Sequence, residues 1–316
     1  MSHIERAVDT VLFDCLGVTK GETVVVVTDP NKRVIAEALI AGARAAGAEA
    51  VLVDMIERPN HGAEPPAAVA AAMLEADVLI APTSKSLSHT EARRAASARG
   101  TRAATMPGIT EDMLVRTMGA DYGEIRRRSS AVAQLLSSGR EVKITSEAGT
   151  DITILIEGRD GVADDGDLRA PSAFGNLPAG EGFIAPIEGA TNGRIAFDGS
   201  IWPVGILEEP LVVDVVDGYA TDMSGPAADK FRAIIEPHGR DAFAIAELGV
   251  GTNPAAILTG NVLEDEKIMG TIHIALGDNH TIGGTIRVPS HEDGIVLSPA
   301  VEIDGTPILR DGSLLL

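Results

Sequence analysis

The sequence predicts an α/β protein in two parts. These are an N-terminal doubly wound parallel-sheet domain over residues 1–140 and a C-terminal α+β domain with a β-meander over residues 141–316. Three observations predict it. Short β-branched runs alternate with Ala-rich stretches up to about residue 140, which is a βαβα rhythm. From Glu141 onward the pattern changes to strands punctuated by turn residues. Asp-Gly pairs at 293–294, 304–305 and 311–312 separate short apolar runs near the C-terminus, as tight hairpin turns do.

Taken in order, Val24–Val27 is a β-branched run of the kind buried in a parallel sheet. Asp29 and Asn31 flank Pro30 just before Val34–Ala46, an Ala-rich helix that Gly47 ends. Ala50–Val53 and Val78–Ala81 are the next strands, with helices over 66–76 and 91–98 between and after them. Asp121–Ser137 is a longer helix leading out of the domain. In the second half, Val142–Ser146 and Ile152–Ile156 flank Gly149–Thr150 and read as a hairpin. Residues 158–180, rich in Gly, Asp, Ala and Pro, are expected to form a long loop. Strands return at Gly182–Pro186, Arg194–Phe197 and Leu211–Val216, and Ala227–Ile235 reads as a helix.

Composition excludes several functions. Hydrophobic residues make up 45% of the 316 residues and aromatics only 3%, so the core rests on Ala, Val, Ile and Leu. There are 26 Lys and Arg against 46 Asp and Glu, a net charge of −20, which argues against nucleic acid or an anionic membrane as partner. The single cysteine, Cys15, rules out an intramolecular disulfide and a finger-type zinc site, and is expected to be a small buried hydrophobe in the first helix. The N-terminus carries Glu5, Arg6 and Asp9 without a long apolar core, so a signal peptide is not expected and a cytoplasmic protein is. No G-x-G-x-x-G follows the Val24–Val27 strand, and no G-x-x-x-x-G-K-[ST] occurs.

Carboxylates and imidazoles inside apolar or Gly-rich strand ends are the informative subset of the polar residues. Glu181 lies between Gly180 and Gly182, where the backbone can approach a ligand closely. Glu247 interrupts the apolar run Ala244–Val250, where an unpaired charge would cost several kcal/mol. His273 interrupts the apolar strand before Gly277. His291 and Asp293 are two apart and share a face of an extended strand. Singly, each has an ordinary reading: a turn residue at Glu181, an exposed edge-strand position at Glu247, a hydrogen-bonded core histidine at His273. Together they supply three carboxylates and two imidazoles without Cys, a set suited to a pair of Zn²⁺, Mn²⁺ or Co²⁺ ions. A shared oxygen can hold two such ions ~3.5–4 Å apart. Only a folded sheet can assemble residues so far apart in sequence.

The strings NLPAGEGF, AELGVGTNP, GTIHIALGDN and VPSHEDG, spread over residues 176–294, resemble the metal-dependent aminopeptidase T/aminopeptidase S family. The resemblance implies a hydrolase with two divalent metal ions held by Glu181, Glu247, His273, His291 and Asp293, placing the metal-binding catalytic domain at 141–316. It also implies a homodimer acting on a small-molecule or short peptide substrate. An activity-linked tyrosine of that family falls, in this sequence, at His280. The implied mechanism uses a metal-activated water on an amide bond. Glu247 or Glu181 bridges or relays a proton, and His280 or His89 protonates the leaving amine.

The 2,5-dihydroxypyridine dioxygenases resemble the same family and hold a single Fe²⁺ with two His and one Asp. Their pattern has His at the position of Glu247 and lacks equivalents of Glu181 and His273, both of which this sequence keeps. On that count the site looks like the hydrolase. The alternative is a mononuclear Fe(II) ring-cleaving dioxygenase using His273, His291 and Asp293. The segment Thr83–Thr90 also resembles the dioxygenase loop that carries a histidine near the substrate. That reading makes His89 a substrate contact or proton shuttle, with Lys85 nearby for a carboxylate or oxyanion. The other reading is a Ser/Thr helix start with His89 in solvent.

Overall fold

The structure, a computed structural model, describes residues 3–316. The chain forms two compact units. The first runs to Glu124 and also includes Gly166–Ala179; the second comprises Ile125–Asp165 and Gly180–Leu316. Residues 125–140, grouped from sequence with the first half, lie in the second unit, and 166–179, grouped with the second half, lie in the first.

The first unit contains α1 (His3–Asp9) with a π-helical turn to Cys15, then β1 (Thr23–Thr28), α2 (Arg33–Ala45), β2 (Glu49–Asp54) and α3 (Ala67–Leu74). It continues with β3 (Val78–Thr83), α4 (Glu91–Ala98), β4 (Arg102–Pro107) and α5 (Glu111–Thr117). Cys15 is buried and outside any disulfide. The Asp29 carboxylate accepts from the Asn31 N–H in the turn before α2, and the Thr90 and Thr110 hydroxyls accept from the amides of Arg93 and Met113, so side chains cap α4 and α5. On α2, Ile35, Ala36, Leu39, Ile40 and Ala43 form the buried stripe. α6 (Tyr122–Ser138) carries the chain into the second unit.

There follow β5 (Glu141–Thr145), β6 (Asp151–Leu155), β7 (Val162–Asp164), β8 (Phe174–Asn176), β9 (Glu181–Ile184), β10 (Asn192–Phe197), β11 (Ser200–Ile201) and β12 (Gly205–Ile206). Next are β13 (Leu211–Val216), β14 (Tyr219–Ser224), α7 (Ala228–Ile235), β15 (Ile245–Gly251), α8 (Val262–Asp265) and β16 (Ile272–Gly277). The chain ends with β17 (His291–Val296), β18 (Ala300–Ile303), β19 (Thr306–Arg310) and β20 (Ser313–Leu314).

In the first unit β2-β1-β3-β4-β8 is an all-parallel sheet, the order expected of a doubly wound fold. Its fifth strand, β8, lies in the segment expected to be a long loop. Three residues between turn-rich flanks carry too little pattern to mark a strand, and β7 escaped for the same reason. The second unit holds two sheets, β14-β13-β10-β6-β5-β18-β19-β20 and β12-β11-β17-β16-β15-β9-β7. Both contribute to one apolar cluster that includes Ile144, Ile152, Ile195, Phe197, Leu248, Val250, Ile272 and Ile274.

The β-meander is β18–β20, and two of the three Asp-Gly pairs make its turns. Asp304 and Asp311 have φ of 48° and are followed by Gly305 and Gly312 at 79° and 73°, the left-handed pair of a tight hairpin. Asp293-Gly294 is not a turn. It lies inside β17, where a Cβ on Gly294 would overlap the Phe197 ring. Among the described residues no helix is long and apolar enough to cross a membrane.

The two glycines therefore differ in what alanine would meet. Gly294→Ala should cost about 1–3 kcal/mol by overpacking against Phe197. Gly305→Ala, with open space around it, should cost only about 1 kcal/mol of backbone strain. Urea midpoints of the two variants check the order.

Candidate metal centre

The site is one face of the sheet whose other face is the apolar core. Register places Glu181 opposite Gly251, Gly249 opposite His273, Glu247 opposite Ala275 and Ala275 opposite Asp293. Paired residues share a face, and side chains alternate along each strand. Leu248, Val250, Ile272, Ile274 and Val296 therefore enter the core, while Glu181, Glu247, His273, His291 and Asp293 gather on the opposite face.

One irregularity is required for this. In a regular strand Glu247 would share the face of Ile245, a core residue. The register of β15 shifts between Ile245 and Glu247, a bulge that turns the carboxylate away from the core and beside His273. β15 is an interior strand between β16 and β9, so the edge-strand reading of Glu247 does not hold. Gly249 has its own function here: a Cβ there would collide with the His273 ring, so a bare backbone lets the imidazole lie across the neighbouring strand.

Distances show the convergence. His273 Nε2 lies 3.2 Å from Glu181 Oε2 and 3.2 Å from Glu247 Oε1. His291 Nε2 lies 3.4 Å from Glu247 Oε2 and 3.7 Å from Asp293 Oδ1. The His291 Nδ1–H donates to the Asp278 backbone carbonyl at 2.7 Å, which aims Nε2 at the carboxylates. One donor atom each of Glu181, Glu247 and His273 lie within 4.8 Å of one another, and so do one each of Glu266, His273 and Asp293.

The group can hold a metal ion, and its unsatisfied atoms fit one. Glu181 Oε2, His273 Nδ1 and Asp293 Oδ1 are buried without a hydrogen-bond partner. All three residues are more than nine-tenths buried. The electrostatics agree. Burial works against charge on His273, but Glu181, Glu247 and Asp293 outweigh it and lift the imidazole to about 9. Burial likewise opposes charge on His291, and Asp293 and Glu247 carry it well above the ordinary histidine value. Burial raises Glu181 to about 8 even though Lys267 pulls it down. For Glu247 burial is overcome by hydrogen bonds from His273 and His291, leaving it below the usual carboxylate range. A site that draws protons onto both imidazoles holds surplus negative charge, which a divalent cation relieves.

Three partners of the site went unseen in the sequence. Lys267, 2% exposed, sits 2.5 Å from Glu181 Oε1, 2.7 Å from Glu266 Oε1 and 3.1 Å from Asp164 Oδ2. The run Glu264-Asp265-Glu266-Lys267 reads as a solvated charge cluster, and no periodicity separates the inward members from a surface turn. The surrounding apolar segments were the only available signal.

The remaining candidates are not among the converging side chains. His280 is on the loop after β16, its Nδ1 held 2.8 Å from the Asp278 carboxylate. Lys85 and His89 belong to the first unit, on the loop between β3 and α4. His89 is exposed, and Thr90 beside it caps α4.

Comparison with known proteins meets both resemblances. The solved 2,5-dihydroxypyridine dioxygenase from Pseudomonas putida KT2440 is similar over 100% of this chain and 98% of its own, with a TM-score of 0.84 and 19% identity. Wild-type AmpT from Thermus thermophilus is similar over 99% of both chains, with a TM-score of 0.74 and 17% identity. At these identities the likeness is one of fold. A search of curated proteins finds no match. The family model NicX, 2,5-dihydroxypyridine 5,6-dioxygenase, matches residues 4–316, nearly the whole chain, and the protein is therefore a member of that family of enzymes.

Proposed function

We propose that the second unit holds a divalent metal centre and that the protein is a metal-dependent hydrolase of the aminopeptidase type, cleaving an amide or peptide bond of a small substrate. The observation that carries this is the donor set. Glu181, Glu247 and Asp293 converge with two imidazoles on one sheet face, an oxygen-rich group suited to redox-inert or hard ions such as Zn²⁺ or Mn²⁺. Glu247, His291 and Asp293 are the primary holders, with His273 and Glu181 Oε2 beside them. A divalent ion bound there supplies Lewis-acid polarisation of a carbonyl and a water acidic enough to react near neutral pH.

The residues around it have distinct tasks. Glu247 meets His273 through Oε1 and His291 through Oε2, so it ties the two imidazoles together and would be the central carboxylate holding a metal ion. Glu181 is anchored by Lys267 through Oε1 and leaves Oε2 without a hydrogen bond, so that oxygen receives the proton of the attacking water. His280, with Nδ1 held by the Asp278 carboxylate on the loop whose carbonyl orients His291, would be the residue to protonate the departing amine.

A second reading is supported by the family match and by the likeness to the solved dioxygenase. It is a mononuclear Fe(II) ring-cleaving dioxygenase, in which His273 and His291 with one carboxylate would hold the metal.

Four outcomes are expected. Mn²⁺ or Zn²⁺ at 100 times its Kd should stabilise the protein by about 2.7 kcal/mol, read as a rise in Tm. Asp293→Ala and His291→Ala should lose that rise while remaining folded by circular dichroism. The metal-loaded protein should hydrolyse aminoacyl and aryl amides without consuming oxygen. Oxygen uptake with 2,5-dihydroxypyridine by the Fe(II)-loaded protein, with no hydrolysis, would select the second reading. His280→Ala should lower kcat for poor amine leaving groups by about 100-fold or more and spare activated aryl amides.

A further inference from the structure

The buried ammonium of Lys267 is the cluster's most unusual member. An ammonium has three protons to donate. Here it meets three carboxylate oxygens from three residues, Glu181 Oε1 at 2.5 Å, Glu266 Oε1 at 2.7 Å and Asp164 Oδ2 at 3.1 Å. That leaves it no unused donor and places it where a cation ligated by those oxygens would sit. Its backbone is anchored on both sides. The Lys267 N–H donates to the Glu264 carbonyl at 2.9 Å, and the Lys267 carbonyl accepts from the Asn253 N–H at 2.9 Å. The turn before it is fixed in turn by Asp265, which accepts from Thr259 and Gly260 amides and the Ser200 hydroxyl.

Lys267 thereby divides the carboxylates into two sets. Asp164 Oδ2, Glu266 Oε1 and Glu181 Oε1 each meet the ammonium, whose single positive charge offsets part of theirs. Glu247, His291 and Asp293 remain for an ion from solution, and Glu181 Oε2 is left free of the ammonium. We propose that Lys267 is a built-in cation occupying the second cation position of this cluster, so that the site takes one divalent ion per chain and not two. This rests on the metal-centre reading above and revises the two-ion expectation that came with the aminopeptidase resemblance. Lys267 acts through Glu181 and Glu266 and is a positioning residue.

The test is metal stoichiometry on the full-length protein, using Mn²⁺ in equilibrium dialysis with elemental analysis. Wild type should saturate at one Mn²⁺ per chain, Lys267→Arg should stay at one, and Lys267→Met should rise to two. Two ions on wild type, or one on folded Lys267→Met with unchanged affinity, would overturn the assignment to Lys267. No Mn²⁺ or Zn²⁺ on wild type would instead overturn the metal-centre reading on which it rests. Should Lys267→Met fail to fold, anomalous diffraction from wild-type crystals grown with Mn²⁺ decides the matter. A single peak beside Glu247, His291 and Asp293 supports the proposal, and a peak among Asp164, Glu181 and Glu266 defeats it.

Discussion

The second unit is organised around the cost of removing carboxylates from water. Asp164, Glu181, Glu247, Glu266 and Asp293 lie together on or beside one face of a sheet whose other face is sealed by aliphatic side chains. Such a group is tolerable only when each charge meets a cation or a hydrogen-bond donor. The protein meets part of that demand internally, with the Lys267 ammonium and with the His273 and His291 imidazoles, whose affinity for a proton the surrounding carboxylates raise. The remainder is an invitation to a metal ion, and the unsatisfied atoms of Glu181, His273 and Asp293 mark where it is directed.

Backbone details make the convergence geometrically possible. The bulge in β15 reverses which face Glu247 occupies, and Gly249 leaves space for an imidazole to cross from β16. Ala275 and Gly277, on the same face of β16 as His273, keep the floor low where larger residues would fill it. The loop after β16 supplies a carbonyl from Asp278 that orients His291, while the Asp278 side chain holds His280. Glu188 steadies the same loop by accepting from Asn279 and the Thr285 amide, and it is itself paired with Arg159.

Much of this was legible in the sequence, because the strongest signals are periodic. The strands at 24–27, 78–81, 194–197 and 211–216 and the helices at 34–46, 91–98 and 227–235 stand out as apolar runs or Ala-rich faces, and the structure has them within a few residues. Glu247 and His273 were visible as polar residues that interrupt apolar runs, Glu181 as a carboxylate between glycines, and His291 and Asp293 as a pair two apart on a strand. What stayed hidden has specific causes. β7 and β8 are three residues each, below the length at which alternation means anything. Asp293-Gly294 has the composition of a hairpin turn, yet its glycine answers to the bulk of Phe197 across the sheet. Lys267 and Glu266 sit in an acidic run that resembles a wet surface, and only tertiary packing distinguishes them.

The chain passes from one unit to the other at 124–125, returns at 165–166 and leaves again at 179–180. The parallel sheet of the first unit is completed by β8, a strand drawn from between two strands of the second, β7 and β9. Neither half is thus a contiguous cassette. A gene fragment ending after α5 would lack its fifth strand, and one beginning at α6 would carry a stray segment without its sheet. A cut at any single point in the sequence therefore cannot release both units whole.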